Sequence, residues 1–260
     1  MFEKIAIIAD EKNPRAVEFQ KKLWASSGKV IFIPQDADLI AAAGGDGFLM
    51  KTIHKYHELQ KPFFGLNFGH KGYLLNEVKK ISTEDLFTKE ISIFNFPIFE
   101  FWGKDTSGNK FKGVFMGDLY FNRVTEESGE SCRLNISING RKIVENMTGD
   151  GVVVCSALGS TAYFFNAGGP ALHPLLPVLG IAPLLAAPDH AKLVLPNSVE
   201  ILIQAVEPDK RRVVVTNDNV DLHKNILWVK IRRFGALFAL GFWEDHDFIE
   251  TIVKKILKKG

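Results

Sequence analysis

Short apolar runs alternate with helical periodicity in the N-terminal third of the chain. Strand-like runs lie at 4–10, 29–34, 39–43 and 62–66. Apolar residues recur at helical spacing in 15–26 and 48–57. This alternation predicts an α/β layer with parallel strands, in which ligands bind where strand ends meet helix starts.

The pattern changes after about Ile91, where strand-like runs follow one another with turns between them. The Asn139-Gly140 pair is the strongest short hairpin signal in the chain. Further strands are predicted at 91–102, 111–121, 193–195, 199–205, 212–216, 226–231 and 237–242. This half is therefore predicted to be antiparallel and β-rich, as a sandwich or layered sheets. An amphipathic helix is predicted over 245–259.

Composition and charge exclude several classes of protein. The 260 residues are 46% hydrophobic and 24% charged with a net charge of +2, and no basic block interleaved with aromatics predicts a nucleic-acid partner. The apolar stretch 172–188 is interrupted by Pro174, Pro177 and Pro183, so no membrane span is expected there. Cys132 and Cys155 lie in apolar runs and are predicted to be free thiols. We expect a soluble protein of the cytoplasm.

Gly44-Gly45-Asp46-Gly47 directly follows a predicted strand and precedes a predicted helix. Glycines at Gly44, Gly45 and Gly47 would let a phosphate approach the backbone. Asp46 has two interpretations that position alone does not separate. It is either an N-terminal helix cap or a carboxylate that orients and deprotonates a hydroxyl group in phosphoryl transfer.

A second glycine-rich segment, TGDGVVVCSALGSTAYFFNAGGP over 148–170, combines an acidic turn, a short strand and a loop that opens a helical turn. Free N–H groups at a helix start favour an anionic or polar ligand. Asp150 in this segment is either a turn-forming residue or a ligand contact. Asn122, at the end of a strand, either satisfies the backbone or contacts an adenine edge or a ribose.

Together these motifs resemble the NAD kinase family. The resemblance rests on Gly44–Gly47, on GLNFGHKGYLLNE over 65–77, and most of all on the GDG, GSTAY and AGGP motifs of 148–170. Ala182-Pro183 and LVLP over 193–196 follow these motifs and belong to the same pattern. It implies an α/β domain of residues 1–95 and 244–260 with a Rossmann-like parallel sheet. It also implies a β-rich NAD-binding domain of residues 96–243, with the last helix returning to the first domain.

The resemblance further implies transfer of a phosphoryl group from ATP or polyphosphate to the 2′-hydroxyl of the adenosine ribose of NAD. Mg²⁺ or another divalent metal would neutralise the phosphates, and a homodimer or homotetramer is implied. Asp46 would be the base. The predicted contacts of NAD are Asp46, Gly47, Lys51, Asn122, Arg123, Arg133, Asp150, Thr161, Ala162, Tyr163 and Asn166. Gly44, Gly45 and Gly47 would contact the phosphate donor.

Departures from the family pattern leave two other functions open. Phe48 replaces the usual threonine after the GGDG motif, and Arg123 replaces the usual glutamate after Asn122. An arginine cannot accept a hydrogen bond from ribose or bind a metal ion. A non-catalytic NAD- or nucleotide-binding relative is therefore the alternative function. A lipid or sugar kinase that shares only the GGDG motif is a third.

Overall fold

The computed structural model describes residues 2–26, 28–31, 33–78, 85–124, 130–186 and 191–257. Contacts divide the chain into two compact units, residues 1–96 with 237–260 and residues 97–236. The second boundary therefore lies at 236/237, whereas the sequence placed it at 243/244. The boundary moves because the strand that includes residues 240 and 241 pairs with a strand of the first unit.

The first unit is built around a parallel sheet. Its strands are β1 (Ile5–Ala9), β2 (Val30–Ile31), β3 (Leu39–Gly44), β4 (Phe63–Asn67) and β5 (Asn76–Glu77). β1 lies between β2 and β3, and β4 pairs with β3 and β5, all in parallel. The helices are α1 (Pro14–Ser26), α2 (Asp46–Tyr56) and α3 (Asp85–Thr88). The carboxyl ends of β3 and β4 therefore lie side by side.

Residues 91–96 and 237–243 belong to the first unit. The remaining strands include these two segments, pair mainly in an antiparallel manner and otherwise lie in the second unit. They are β6 (Ile91–Asp105), β7 (Lys110–Phe115), β8 (Asp118–Arg123), β9 (Cys132–Ile138), β10 (Arg141–Gly149), β11 (Gly151–Ser156), β12 (Val178–Leu184), β13 (Leu193–Pro196), β14 (Ile201–Ala205), β15 (Val213–Asn217), β16 (Asp221–His223) and β17 (Ile226–Trp243). One sheet has the order β13-β12-β11-β8-β15-β16. In the other, β10, β9, β14 and β17 are consecutive, and β6 pairs with β7 and β17.

Each unit has its own buried core. The first unit buries apolar side chains of β1, β3 and β4 against Ala16 and Leu23 of α1. The second unit buries alternate residues of both sheets, including Phe99, Phe121 and Ile201. A smaller apolar cluster forms around Phe164 of α4 (Tyr163–Asn166) and involves Val153 of β11. α4 thus packs on a β-strand that enters the second glycine-rich segment.

The structure confirms the predicted hairpin and corrects the bounds of several predicted strands. The hairpin forms at Asn139 and Gly140, both with positive φ. The predicted strand 111–121 is two strands, β7 and β8, separated by a turn at Met116 and Gly117. The runs 226–231 and 237–242 form one continuous strand, β17, which includes the residues between them.

The last helix is shorter than predicted. α5 spans Phe248–Ile252 and is followed by a π-helical turn, Val253–Leu257. Asp247 caps α5, its carboxylate accepting the backbone N–H groups of Ile249 and Glu250 at 2.7 and 3.2 Å. Phe248 packs edge-on to Phe94 and Phe242, so α5 lies in the first unit. Among the described helices, none has the length and apolar character required to cross a membrane.

Candidate functional site

The Gly44–Gly47 turn connects the end of β3 to the start of α2. Gly44 is the last residue of β3, and Gly45 is the extended N-cap of α2. The Gly45 carbonyl accepts hydrogen bonds from the N–H groups of Phe48 and Leu49 at 3.0 Å. A Cβ atom added at Gly45 or Gly47 would meet no atom of the described residues within 4 Å. The turn therefore has an open side where a ligand phosphate could contact the backbone.

Asp46 is the first residue of α2 and does not cap the helix. Its Oδ2 accepts the backbone N–H of Tyr73 at 3.0 Å, and its Oδ1 accepts that of Leu74 at 2.8 Å. The capping interpretation of Asp46 is therefore wrong. Both carboxylate oxygens are instead held by the loop that follows β4.

Two neighbours of this turn differ in exposure. Lys51 lies on α2 with its side chain exposed. Phe48 lies over Gly44, since a Cβ atom added at Gly44 would come within 2.8 Å of the Phe48 ring. The glycine thus accommodates the aromatic side chain that stands where the family pattern has threonine.

A cavity of about 530 Å³ in the second unit brings together five predicted site residues. The residues that line it are Asn122, Arg123, Asp150, Tyr163, Asn166, Ala167, Pro183, Leu184 and Leu185. The sheet register explains the grouping, because Asn122 of β8 lies opposite Gly151 of β11. The backbone N–H of Arg123 also donates to the Asp150 carbonyl at 2.9 Å.

Arg123 and Asp150 form an ion pair in this cavity. Nε of Arg123 lies 2.6 Å from Oδ1 of Asp150, with side-chain exposures of 26% and 34%. The guanidinium group therefore neutralises the aspartate within the cavity. A family-like glutamate at position 123 would instead give two adjacent carboxylates.

The segment around Gly159 is packed against the turn between β7 and β8. The Ser156 hydroxyl donates to the Met116 carbonyl at 2.5 Å and accepts the Gly159 N–H at 3.2 Å. A Cβ atom at Gly159 would lie 2.3 Å from the Gly117 carbonyl oxygen, so only glycine fits without displacement. The 3₁₀ turn Leu158–Thr161 that leads to α4 is therefore fixed at its start.

Two aspartates bind backbone N–H groups of the turn between β7 and β8 and of α4. The Asp218 carboxylate accepts the backbone N–H groups of Met116, Gly117 and Asp118 at 2.8 to 2.9 Å. The Asp118 carboxylate accepts the backbone N–H of Tyr163. Burial, and secondly repulsion by Asp218, raises the pKa of Asp118 to about 7. Asp118 therefore links the turn directly to the start of α4.

Tyr163 is the aromatic residue among those that line the cavity, and it is 39% exposed. Its ring centroid lies 5.1 Å from that of Tyr120 at an interplanar angle of 42°. The Tyr120 hydroxyl donates to Oδ1 of Asn219 at 2.5 Å. Phe164, one residue further on, is fully buried and anchors α4. The exposed Tyr163 ring is thus presented on a fixed support.

The remaining predicted contacts are placed less directly. Thr161 and Ala162 immediately precede Tyr163 in the chain and are not among the residues that line the cavity. Arg133 is on β9, where its guanidinium group pairs with Glu207 at 2.9 Å, and it does not line the cavity either. The predicted Arg133 contact with NAD is therefore not supported within this unit.

Sequence reasoning missed two leucines of the cavity. Leu184 ends β12 and Leu185 follows it with a positive φ of 44° and 87% exposure. β12 itself was not predicted, because its residues lie in a proline-broken apolar stretch. The Ala182-Pro183 pair in the family motif was the one signal that pointed to this region.

A larger cavity of about 920 Å³ lies between β9, β10 and β13. It is lined mainly by apolar residues, including Ile138, Ile143 and Leu193, and includes no predicted site residue. The smaller cavity is the better candidate because it combines an ion pair, two amide side chains and an accessible tyrosine.

A resident metal site does not form among the described residues, where no three His, Cys, Asp or Glu side chains group together. The Arg123 guanidinium group engages Asp150, the acidic side chain of the cavity. The residues present therefore do not fit a metal held by the protein alone. The cysteines are unpaired, and burial raises the pKa of Cys132 to about 11.

Comparison with known proteins gives one family throughout. The model of the ATP-NAD kinase C-terminal domain matches residues 123–232. The NAD kinase of Rhizobium meliloti (strain 1021) is 30% identical over 261 residues, which cover 97% of this chain and 96% of that protein. The NAD kinase of Xylella fastidiosa (strain 9a5c) is 30% identical over 256 residues, covering 96% of this chain and 94% of its own.

Solved structures share the fold at lower identity. Yeast NADH kinase complexed with NADH has a TM-score of 0.81 at 17% identity, covering 99% of this chain and 88% of that one. The NAD kinase from Archaeoglobus fulgidus in complex with ATP has a TM-score of 0.74 at 18% identity, covering 99% and 100%. These two structures match the fold over almost the whole chain.

Proposed function

Because the chain belongs to the NAD kinase family, we propose that it phosphorylates NAD at the 2′-hydroxyl of the adenosine ribose and releases NADP. ATP is the proposed phosphoryl donor, with polyphosphate as the alternative. The observation that carries this proposal is the Asp46 carboxylate, fixed at the open glycine turn by the Tyr73 and Leu74 N–H groups. A fixed carboxylate beside a phosphate-accessible backbone suits transfer to a hydroxyl group.

Asp46 is proposed to take the proton of the 2′-hydroxyl while that oxygen attacks the terminal phosphorus of the donor. The new bond joins the ribose oxygen to phosphorus, and the bond from phosphorus to the ADP oxygen breaks. Each Asp46 oxygen accepts one backbone N–H, and a carboxylate oxygen has a second lone pair for the substrate. The backbone at Gly44, Gly45 and Gly47 is proposed to contact the donor phosphates.

The cavity of the second unit is proposed to hold the dinucleotide. Asn122 offers both a donor and an acceptor to a base or ribose, and Tyr163 offers an accessible ring for stacking. Asp150, oriented by Arg123 at 2.6 Å, would accept a ribose hydroxyl. Asn166 lines the same wall. These roles rest on the cavity lining and on the family motif.

A divalent metal is proposed to enter as part of the Mg²⁺–nucleotide substrate, with phosphate oxygens and water as its ligands. The described residues offer no resident site for it. A homodimer or homotetramer in the cytoplasm is proposed from the resemblance alone. Sedimentation equilibrium of the purified chain would measure the oligomeric state directly.

The decisive experiment is a turnover assay with NAD, Mg²⁺ and either ATP or polyphosphate in parallel. NADP formation is read with an NADP-specific dehydrogenase. We expect the wild-type protein to form NADP with at least one donor. The rate of NADP formation by Asp46→Asn should not exceed about 1% of the wild-type rate. Absence of NADP from both donors, with NAD still raising Tm, would instead establish the non-catalytic alternative.

A further inference from the structure

Beyond the base itself, the loop that holds the Asp46 carboxylate is organised by one buried amide. We propose that Asn67 is a positioning residue for phosphoryl transfer, fixing the loop after β4 so that its N–H groups orient Asp46. This inference rests on the proposed role of Asp46 as the base. It concerns how that base is held, a step removed from the base itself.

Asn67 lies beside the Gly44–Gly47 turn, which carries Asp46, in the sheet. It is the last residue of β4 and is paired in register with Gly44 of β3 on one side and Glu77 of β5 on the other. The backbone N–H of Phe68 donates to the Gly44 carbonyl at 2.9 Å. The loop therefore starts at the turn that carries Asp46.

The Asn67 amide contacts both ends of the loop. Its Oδ1 accepts the backbone N–H of Gly69 at 3.0 Å, and its Nδ2 donates to Oε1 of Glu77 at 3.0 Å. Gly69 also lies against the Gly44–Gly47 turn, since a Cβ atom at Gly69 would be 3.2 Å from the Gly45 Cα. Asn67 is only 9% exposed, so water cannot readily replace these bonds.

The middle of the loop packs directly on the same amide. Gly72 has a positive φ of 65°, and a Cβ atom there would lie 2.4 Å from Nδ2 of Asn67. The next two residues, Tyr73 and Leu74, donate their N–H groups to Asp46. Gly72, which packs on the Asn67 side chain, directly precedes these two donors, so the Asn67 side chain helps to set their position.

Two hydrogen bonds that hold both oxygens restrict rotation of the Asp46 carboxylate. A small misplacement of a reacting group lowers the rate much more than it lowers ground-state binding. Loosening the loop should therefore reduce kcat and leave the KM for NAD nearly unchanged. A purely structural amide would instead affect stability without this separation.

The test exchanges donor and acceptor between Asn67 and Glu77. In Asn67→Asp two carboxylates face each other, and we expect kcat to fall about 10- to 100-fold with KM within about threefold. In Asn67→Asp with Glu77→Gln the bond re-forms with reversed polarity at the same net charge. We expect kcat to return to within about threefold of wild type. Glu77→Gln alone keeps an acceptor oxygen and should be nearly silent.

A matched control uses Asn76, a second buried amide nearby. Its Nδ2 donates to the carbonyls of Gly65 and Gly241 at 3.1 and 3.2 Å, and its Oδ1 accepts the Trp243 N–H at 2.9 Å. Asn76→Ser should lower Tm while leaving kcat of the folded protein close to wild type. If Asn67→Asp does not fold, Glu77→Ala removes the same bond from the exposed side, with an expected kcat loss of about threefold to tenfold.

The Asp46→Asn background separates the two proposals. If Asn67 acts through Asp46, Asn67→Asp should leave the residual rate of Asp46→Asn unchanged. A rate in Asp46→Asn that stays near wild type would refute the base, and with it the proposed catalytic role. The positioning role alone would be refuted by a low Asp46→Asn rate together with either of two results at Asn67. One is that Glu77→Gln fails to restore the kcat of Asn67→Asp, and the other is that Asn67→Asp changes only KM.

Discussion

At the scale of single residues, Asp46 is the base of the proposed reaction. Its carboxylate is partly exposed and is fixed by the N–H groups of Tyr73 and Leu74. Nothing in the helix requires this residue, because Gly45 provides the N-cap position. An aspartate that capped the helix would accept hydrogen bonds from backbone N–H groups of the first turn of α2.

Replacing Asp46 by asparagine tests this role. We expect Asp46→Asn to lower kcat by about 10²- to 10⁴-fold, because an amide cannot take the hydroxyl proton. The Kd for NAD, measured by calorimetry, should stay within about threefold because most of the proposed dinucleotide contacts lie elsewhere. A rate close to wild type would mean that Asp46 only ties the loop to the turn.

The ion pair at Arg123 makes a second prediction. Arg123→Gln leaves Asp150 unpaired in the cavity, and Arg123→Glu adds a second negative charge beside it. Because NAD carries a pyrophosphate, we expect its KM to rise in both variants and to rise more in Arg123→Glu. Titrations at low and high salt should show a smaller difference at high salt. Higher activity in Arg123→Glu would mean that the arginine impairs a site built for a carboxylate.

At the scale of elements, the start of α4 depends on a turn in another strand pair. Gly159 lies against the Gly117 carbonyl, and Asp118 accepts the Tyr163 N–H. The helix has only four residues, so its position comes from these contacts and from buried Phe164.

Asp118 makes stability depend on pH. Its pKa is raised in the folded protein to about 7, from 3.8 in the unfolded chain, so ionisation destabilises the fold. The stabilisation relative to Asp118→Asn is complete below pH 3.8 and is lost as pH rises through 7. From pH 5 to pH 8, Tm of Asp118→Asn should therefore rise relative to wild type. The difference in the free energy of unfolding between Asp118→Asn and wild type should change by at most about 1.4 kcal/mol per pH unit.

Asp38→Asn is the control for this titration. Backbone hydrogen bonds from Lys4 and Glu3 lower the pKa of the Asp38 carboxyl group, so its titration lies below this range. Its effect on Tm should be constant from pH 5 to pH 8. If Asp118→Asn were equally constant, the Asp118 carboxyl group would not titrate in this window.

A larger side chain at Gly159 tests the support of α4. Gly159→Ala places a methyl group 2.3 Å from a backbone oxygen, so the 3₁₀ turn must move. We expect Tm to fall and the KM for NAD to rise at least about tenfold, because Tyr163 moves with the turn. Gly28→Ala is the comparison, since no described atom lies within 4 Å of its added Cβ. Equal NAD affinity in both variants would argue against this coupling.

At the scale of the whole molecule, ligand binding should be visible as stability. A ligand at about 100 times its Kd stabilises the folded state by about 2.7 kcal/mol. NAD should therefore raise Tm of both wild type and Asp46→Asn. Tyr163→Ala should lose most of this shift, whereas Tyr56→Ala, which lies outside the cavity lining, should keep it. An unchanged NAD shift in Tyr163→Ala would place the dinucleotide away from this cavity.

Several elements were predictable because their signals are local. Periodicity located β1, β3, β4 and α1, since burial on one face or in a parallel sheet leaves a repeating apolar pattern. The hairpin at Asn139 and Gly140 was predictable because positive φ restricts the residues that fit. Position in the chain could not show that β17 is continuous or that its end pairs with β4, since such pairing depends on distant partners.

By itself, the sequence determined the glycine turn and the family, and it supplied the residues proposed to act in catalysis. Glycines and a carboxylate in fixed order are local properties of the chain, readable without coordinates. Only the tertiary structure decided that Asp46 is held by Tyr73 and Leu74, and that Arg123 neutralises Asp150. Hydrogen bonds and ion pairs act over a few ångströms, so they depend on which distant segments folding brings into contact.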